Sequence, residues 1–279
     1  MSELEEHVQD QQPMKHVNDS MDVNPLLERV EMPGSTFQMP SRGLFYNNGE
    51  LHDSVELGEV HVHPMSAYDE ILMRTPDALF SGEAVNKVFQ RCIPEVIKPK
   101  DLLAKDVDFL LVCLRQVTYG ETMEISYKHD CEGAKSNSYV MNITDSLQNT
   151  KKIDPTTVGS TYTVKLDNGQ IVKLHPSKFQ DVIKMYQEAK PGDDRTPEEE
   201  LEMTVFIIKS VIFSVDGITD ENKIKEWIKK IPSSWLKHLS KTIEDASDFG
   251  PSFTFHAKCK DCDADIEIES PINPISFFI

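Results

Sequence analysis

The sequence is short of positive charge, of cysteine and of long apolar runs. Its 279 residues carry 29 lysines and arginines against 47 acids, a net charge of −18 with a pI near 4.9. Non-specific binding to nucleic acid or to an anionic membrane needs the opposite balance. Five cysteines, an odd number in a long chain, do not make a secreted disulfide framework. No apolar run approaches the roughly 18 residues of a membrane-spanning helix. The first thirty residues are acidic and lack an apolar signal core, so no signal peptide is expected. Also missing are H-E-x-x-H, G-x-S-x-G and a phosphate-binding glycine loop. What remains is a cytoplasmic protein, or one assembled there, long enough to bury its own core.

Residues 1–32 hold eight acids, two bases and no Phe, Trp or Tyr, which predicts a disordered acidic leader. From Met32 turn signals crowd around an aromatic cluster, Arg42-Gly43-Leu44-Phe45-Tyr46. Val55, Leu57, Val60 and Val62 predict an extended stretch ending at His63-Pro64. Ser81 is placed to cap a helix with Val85, Val88, Phe89 and Cys92 inward, and Val107, Leu110, Leu111 and Leu114 mark a second helix that Gly120 stops. Cys92 and Cys113 then belong to the core. Strands are expected at Met123–Tyr127 and Ser138–Ile143, and on either side of Asn168-Gly169. Further helices start at Ser177, at Thr196-Pro197, at Asp220 and at Ser233 or Ser234, and Val205–Val215 is apolar on nearly every face. The fold class is α+β: a helical body with short antiparallel hairpins and a zinc-ribbon-like pair of knuckles. The division is 1–32 leader, 33–122 loop and helical part, and 123–279 hairpins, helices and zinc-ribbon-like closure, with 33–279 as one domain the alternative.

The chemistry lies in the cysteines. Cys259-Lys-Asp-Cys262 sits in a polar turn between strands, where two thiolates can face one zinc ion. His129-Asp-Cys131 sits in an equivalent turn about 130 residues earlier. Two such turns brought together make a structural zinc site of His129, Cys131, Cys259 and Cys262, with His256 the competing fourth ligand; inert free thiols and a redox-active C-x-x-C are the alternatives. Four protein ligands leave no open position for catalysis. His61 and His63 share a strand face with no third ligand at a fixed spacing. Asp263, Asp265, Glu267 and Glu269 alternate with apolar residues as the outer face of a strand.

The tail Pro271-Ile-Asn-Pro-Ile-Ser-Phe-Phe-Ile279 combines two prolines with five large apolar residues, so it must be covered. It either folds back on its own domain or inserts Phe277, Phe278 and Ile279 into a neighbouring protein. Phe45 and Tyr46 are the second candidate contact.

Pro40–Tyr46, the Ser81 helix, the Leu110–Arg115 helix ending Thr118-Tyr-Gly120, the two knuckles and the C-terminal tail follow in an order that resembles the baseplate hub subunit family of T-even-like contractile-tailed bacteriophages, over roughly Met32–Ile279. The resemblance implies a late, non-enzymatic structural or assembly subunit of the baseplate hub. Its partners would be other hub and tail proteins, with no nucleic acid or membrane, and a homo-oligomer is left open. It would be found in the virion tail baseplate and, during assembly, in host cytoplasm. The rival readings are a zinc-ribbon nucleic-acid-binding regulator, which the acidic strand after Cys262 disfavours, and a zinc hydrolase, which a closed site disfavours.

Overall fold

Two short strands, β1 (Ser35–Gln38) and β2 (Glu59–Val62), pair antiparallel with Ser35 opposite Val62. This is a computed structural model, and it describes residues 33–131, 133, 135–156, 161–188 and 196–269. The acidic leader and the tail with Phe277, Phe278 and Ile279 lie outside the described residues. The extended stretch is shorter than the pattern from Val55 predicts. Leu57 and Gly58 both take positive φ, 51° and 72°, and turn the chain just before the strand. There the backbone meets the Arg42–Gly43 turn so closely that a Cβ on Gly58 would lie 2.5 Å from the Gly43 nitrogen.

Helix α1 (Ala67–Met73) is capped by Ser66, whose hydroxyl accepts from the Asp69 N–H while Asp69 reaches back to the Ser66 N–H. Buried Asp69 also pairs with Arg91. Helix α2 (Pro76–Phe80) closes on Ser81, so Ser81 ends one helix and does not cap the next. The N-cap of α3 (Glu83–Cys92) is Gly82, at φ 69°. The apolar stripes of α3 and α4 (Ala104–Tyr119) meet as expected: Val88, Phe89, Leu110 and Leu114 are wholly buried in one cluster with Met39, Val62 and Met73. Cys92 and Cys113 lie in it too, and burial pushes both thiols up, Cys92 to about 12. They are packing residues with no thiolate character.

Asp106, in the first turn of α4, is completely buried. Its carboxylate accepts from the Ser41 N–H at 3.0 Å, from the Ser41 hydroxyl and from the Tyr46 hydroxyl at 2.6 Å. The Tyr46 oxygen in turn accepts from the Leu103 N–H at 2.9 Å. Burial pushes Asp106 up, and the Ser41 and Tyr46 donors offset part of that. Burial, and then the neighbouring Asp106, push Tyr46 up as well. The network fastens the 40–46 loop to the start of α4. Phe45 stacks on Tyr162, ring centroids 5.9 Å apart.

The rest of the chain alternates hairpins and helices. β3 (Thr122–Tyr127) pairs with β4 (Asn137–Asn142), and α5 (Ile143–Gln148) follows at once, so Ile143 begins a helix and does not end a strand. β5 (Tyr162–Lys165) and β6 (Ile171–Leu174) flank Asn168-Gly169, and α6 is Phe179–Glu188. Helix α7 (Pro197–Val211) opens with the expected Thr196–Glu199 capping box. The run Val205–Val215 is apolar all round because it is two elements. The helix stops at Val211, and β7 (Ile212–Val215) joins the β5–β6 hairpin as a third strand. Helices α8 (Glu221–Ile228) and α9 (Ser233–Ala246) cover that sheet, with Ile224, Ile228 and Leu239 buried against Val164, Val172 and Leu174. β8 (Thr254–Lys258) and β9 (Asp265–Glu269) form the last hairpin. The architecture is α+β, helices with small antiparallel sheets. Among the described residues no helix is long and apolar enough to cross a membrane.

Two substitutions probe this frame. Tyr46→Phe leaves the Leu103 N–H without its acceptor and Asp106 with one donor fewer. It is expected to cost about 1–3 kcal/mol in denaturant unfolding, and a loss below a few tenths would show the network to be idle. Gly58→Ala forces a β-carbon into backbone at positive φ and is expected to cost about 2 kcal/mol or more, read as a lower melting temperature.

Candidate metal centre

The β3–β4 register runs from Thr122 opposite Asn142 to Tyr127 opposite Asn137, which leaves 128–136 as the connecting turn. The β8–β9 register ends with Lys258 opposite Asp265 and leaves 259–264. Alternate side chains of each hairpin point to one face: Tyr139 and Met141 from the first, Ile266 and Ile268 from the second, all buried. These faces share one small core with Ile125, Tyr127, Phe255 and Ala257. Packing them brings the two turns together.

The result is a cluster of His129, Cys131, Cys259 and Cys262, whose ligand atoms all lie within 4.8 Å of one another. Cys131 Sγ is 4.0 Å from Cys259 Sγ, and Cys262 Sγ is 3.5 Å from His129 Nδ1. Four ligands around a tetrahedral zinc, at about 2.3 Å for sulfur and 2.0 Å for nitrogen, lie roughly 3.5–3.8 Å apart. The donor set and its spacing therefore fit such an ion. His256 is exposed on β8 opposite Glu267 and is not in the group.

Three thiols this close cannot all ionise without a cation among them. Burial opposes the Cys259 thiolate, but the N–H groups of Asp261 and Cys262 point at it, and with the Cys262 and His129 side chains they hold it down to about 6. Cys131 is driven the other way, to about 12, by burial and by the two neighbouring sulfurs. The sulfurs thus oppose one another's ionisation, and a cation among them would relieve that opposition.

The turns are braced around the sulfurs. The Cys259 N–H donates to the Ala264 carbonyl at 2.8 Å, and the Asp263 N–H to the Cys259 carbonyl at 2.9 Å. Asp263 completes the tight turn at φ 58°. Asp261, between the two cysteines, crosses to the other knuckle. Its Oδ2 accepts from the Lys135 N–H at 3.0 Å and from Asn137 Nδ2 at 2.8 Å, and the Lys135 N–H is the first cause of its lowered pKa. Lys260 lies over the Tyr139 ring, 5.3 Å from its centroid. Sequence reasoning missed this bracing, since nothing in C-x-x-C says what its middle residues bond to.

The other singled-out residues lie elsewhere. His61 and His63 touch edge to face at 4.8 Å, and His61 Nδ1 is engaged with the Thr36 hydroxyl. Phe45 and Tyr46 pack beside Leu103, Ile153 and Phe249.

No curated protein and no solved structure matches the chain. A family model described as T4 bacteriophage base plate protein matches residues 52–279, a span that contains α1 to β9 and all four members of the cluster. The chain belongs to the T4 bacteriophage base plate protein family.

Proposed function

We propose that the chain is a non-enzymatic structural subunit of the phage tail baseplate, working in its hub, with a structural zinc ion held by His129, Cys131, Cys259 and Cys262. The observation that carries the structural reading is the family match over 52–279. It is supported by a cluster with four protein ligands, which leaves no open coordination position for a substrate. When bound, zinc supplies charge balance and a cross-link between residues about 130 apart in sequence. The packed hairpins bring the ligands together, Asp261 ties one knuckle to the other, and the Cys259 turn presents its sulfur. The pair of knuckles then serves as a zinc-ribbon-like closure, and Pro33–Ile279 reads as one domain. The partners are other baseplate hub and tail proteins, met in the host cytoplasm during assembly and retained in the virion tail. A net charge of −18 suits protein contacts better than nucleic acid. Phe45 and Tyr46 serve first as packing residues, with any partner contact made through their remaining exposed edges.

Elemental analysis of the purified chain is expected to give one zinc per molecule, and chelation to lower the melting temperature. Asp261→Ala should keep the ligands but weaken zinc binding about 10–100-fold. Protein without metal, not stabilised by added zinc, would sink the metal assignment. A phage whose copy of the chain carries Cys131→Ala and Cys259→Ala should yield at least tenfold fewer complete tails. Normal tail yield with the chain absent from purified baseplates would overturn the structural role.

A further inference from the structure

The largest apolar opening described lies between α2, α4 and α6, a groove of about 1090 Å³. That is just above the roughly 300–1,000 Å³ range of ligand pockets. Val85, Leu111, Phe179 and Ile183 line its depth. Phe80 and Tyr186 stand at it 58% and 61% exposed, the state of aromatic rings awaiting a cover. A polar substrate has little to bind there, because Asp77, Lys105 and Asp108 are its charged groups.

The chain outside the described residues starts beside this groove. Glu269, the last residue described, pairs with Thr254, and adjacent strands lie roughly 4.8 Å apart. Phe253, the residue before Thr254, lines the groove. Ser270–Ile279 follow it, and extended they reach up to about 33–36 Å. Their composition answers the groove. Two prolines forbid a helix or a central strand, and Ile272, Ile275, Phe277, Phe278 and Ile279 need an apolar seat. Three consecutive apolar residues at the end suit a groove with apolar walls better than a sheet edge, where one of two faces is wet.

We infer that this groove is the docking site of the chain's own C-terminal segment, with Phe277 and Phe278 as its anchors. The inference is independent of the metal site and of the baseplate role. Docked there, the tail would cover the Phe80 and Tyr186 rings.

The test uses the full chain with Phe278 replaced by the photo-crosslinker p-benzoylphenylalanine. Illumination is expected to give intramolecular products, independent of protein concentration, mapping to Pro76–Phe80 and to Phe179–Glu188. Phe80→Asp and Tyr186→Asp change exposed side chains, so the fold should hold. Each should cut that product at least fivefold, while Ile171→Asp, at an exposed apolar residue on β6, should leave it unchanged. Products joining two chains would assign the groove to a second copy. Products elsewhere on the chain, or none, would show that the tail does not lie there. Each of these results overturns the inference.

Discussion

The chain is organised around one buried carboxylate. Asp106 has no contact with water, so its charge must be met by fixed donors, and the three donors to its carboxylate all come from the loop 41–46. A carboxylate in the first turn of a helix is also favoured by the helix dipole. Removing its donors strands a charge in the interior, which costs more than the intact network contributes. The loop is therefore held by a need that helix α4 imposes. Its aromatic neighbours settle around Leu103, Ile153 and Phe249 once Tyr46 is in place. The same segment reaches onward: Leu103 bridges to Lys178, and the Phe179 N–H donates to the Leu102 carbonyl, which seats α6 against α4.

The second constraint is local and of the opposite kind. The two hairpins of the metal centre share few apolar residues, and two-stranded hairpins are marginal by themselves. Their apolar faces bring the turns together, and the turns then crowd three sulfurs into one place. That crowding is unfavourable for thiolates alone and favourable with a cation, so the cost of the cluster is also what suits it to a metal ion. Asp261 matters because it holds the knuckles in register whether or not charge is balanced.

The legible parts of the sequence were those with strong local chemistry. The stripes of α3 and α4, the Asn168-Gly169 turn, the Thr196 capping box and the Asp220 cap each rest on residues that act within one turn of themselves. The four cluster residues were legible because strand-flanked turns bearing sulfur and imidazole have few other uses. The misreadings came where tertiary context decided. Ser81 is a good cap residue, yet the chain ends α2 there, and Gly82 takes the cap because a side chain would strike Ile183, its Cδ1 lying 2.1 Å from a built Cβ. Val205–Val215 had no periodicity to betray the change from helix to strand at Ile212, since the exposed faces of both elements also carry apolar residues, Ile207 and Phe213. Helix α1 was not foreseen, although Ser66 and Asp69 spell its capping box, because its seven residues carry too short a stripe to stand out. The Asp106 network joins residues up to 65 apart, a pairing that no local pattern encodes.

Helix α4 relates these parts to one another. Its first turn carries Asp106, its middle sends Leu111 to the apolar groove, and its last turns reach the half that carries the His/Cys cluster. There Gln116 donates to the Thr144 hydroxyl of α5, and the Thr118 hydroxyl accepts from the Met65 N–H ahead of α1. Gly120 then turns the chain directly into β3, the strand that leads to His129 and Cys131. Eight of its residues, Asp106, Val107 and Phe109 to Leu114, are buried, which leaves it no freedom to tilt without opening the main core. The loop, the groove and the first knuckle are thus placed by one rigid element. A subunit that must present fixed surfaces to neighbouring proteins gains from such a beam, because its surfaces keep their spacing without a large interface between separate domains.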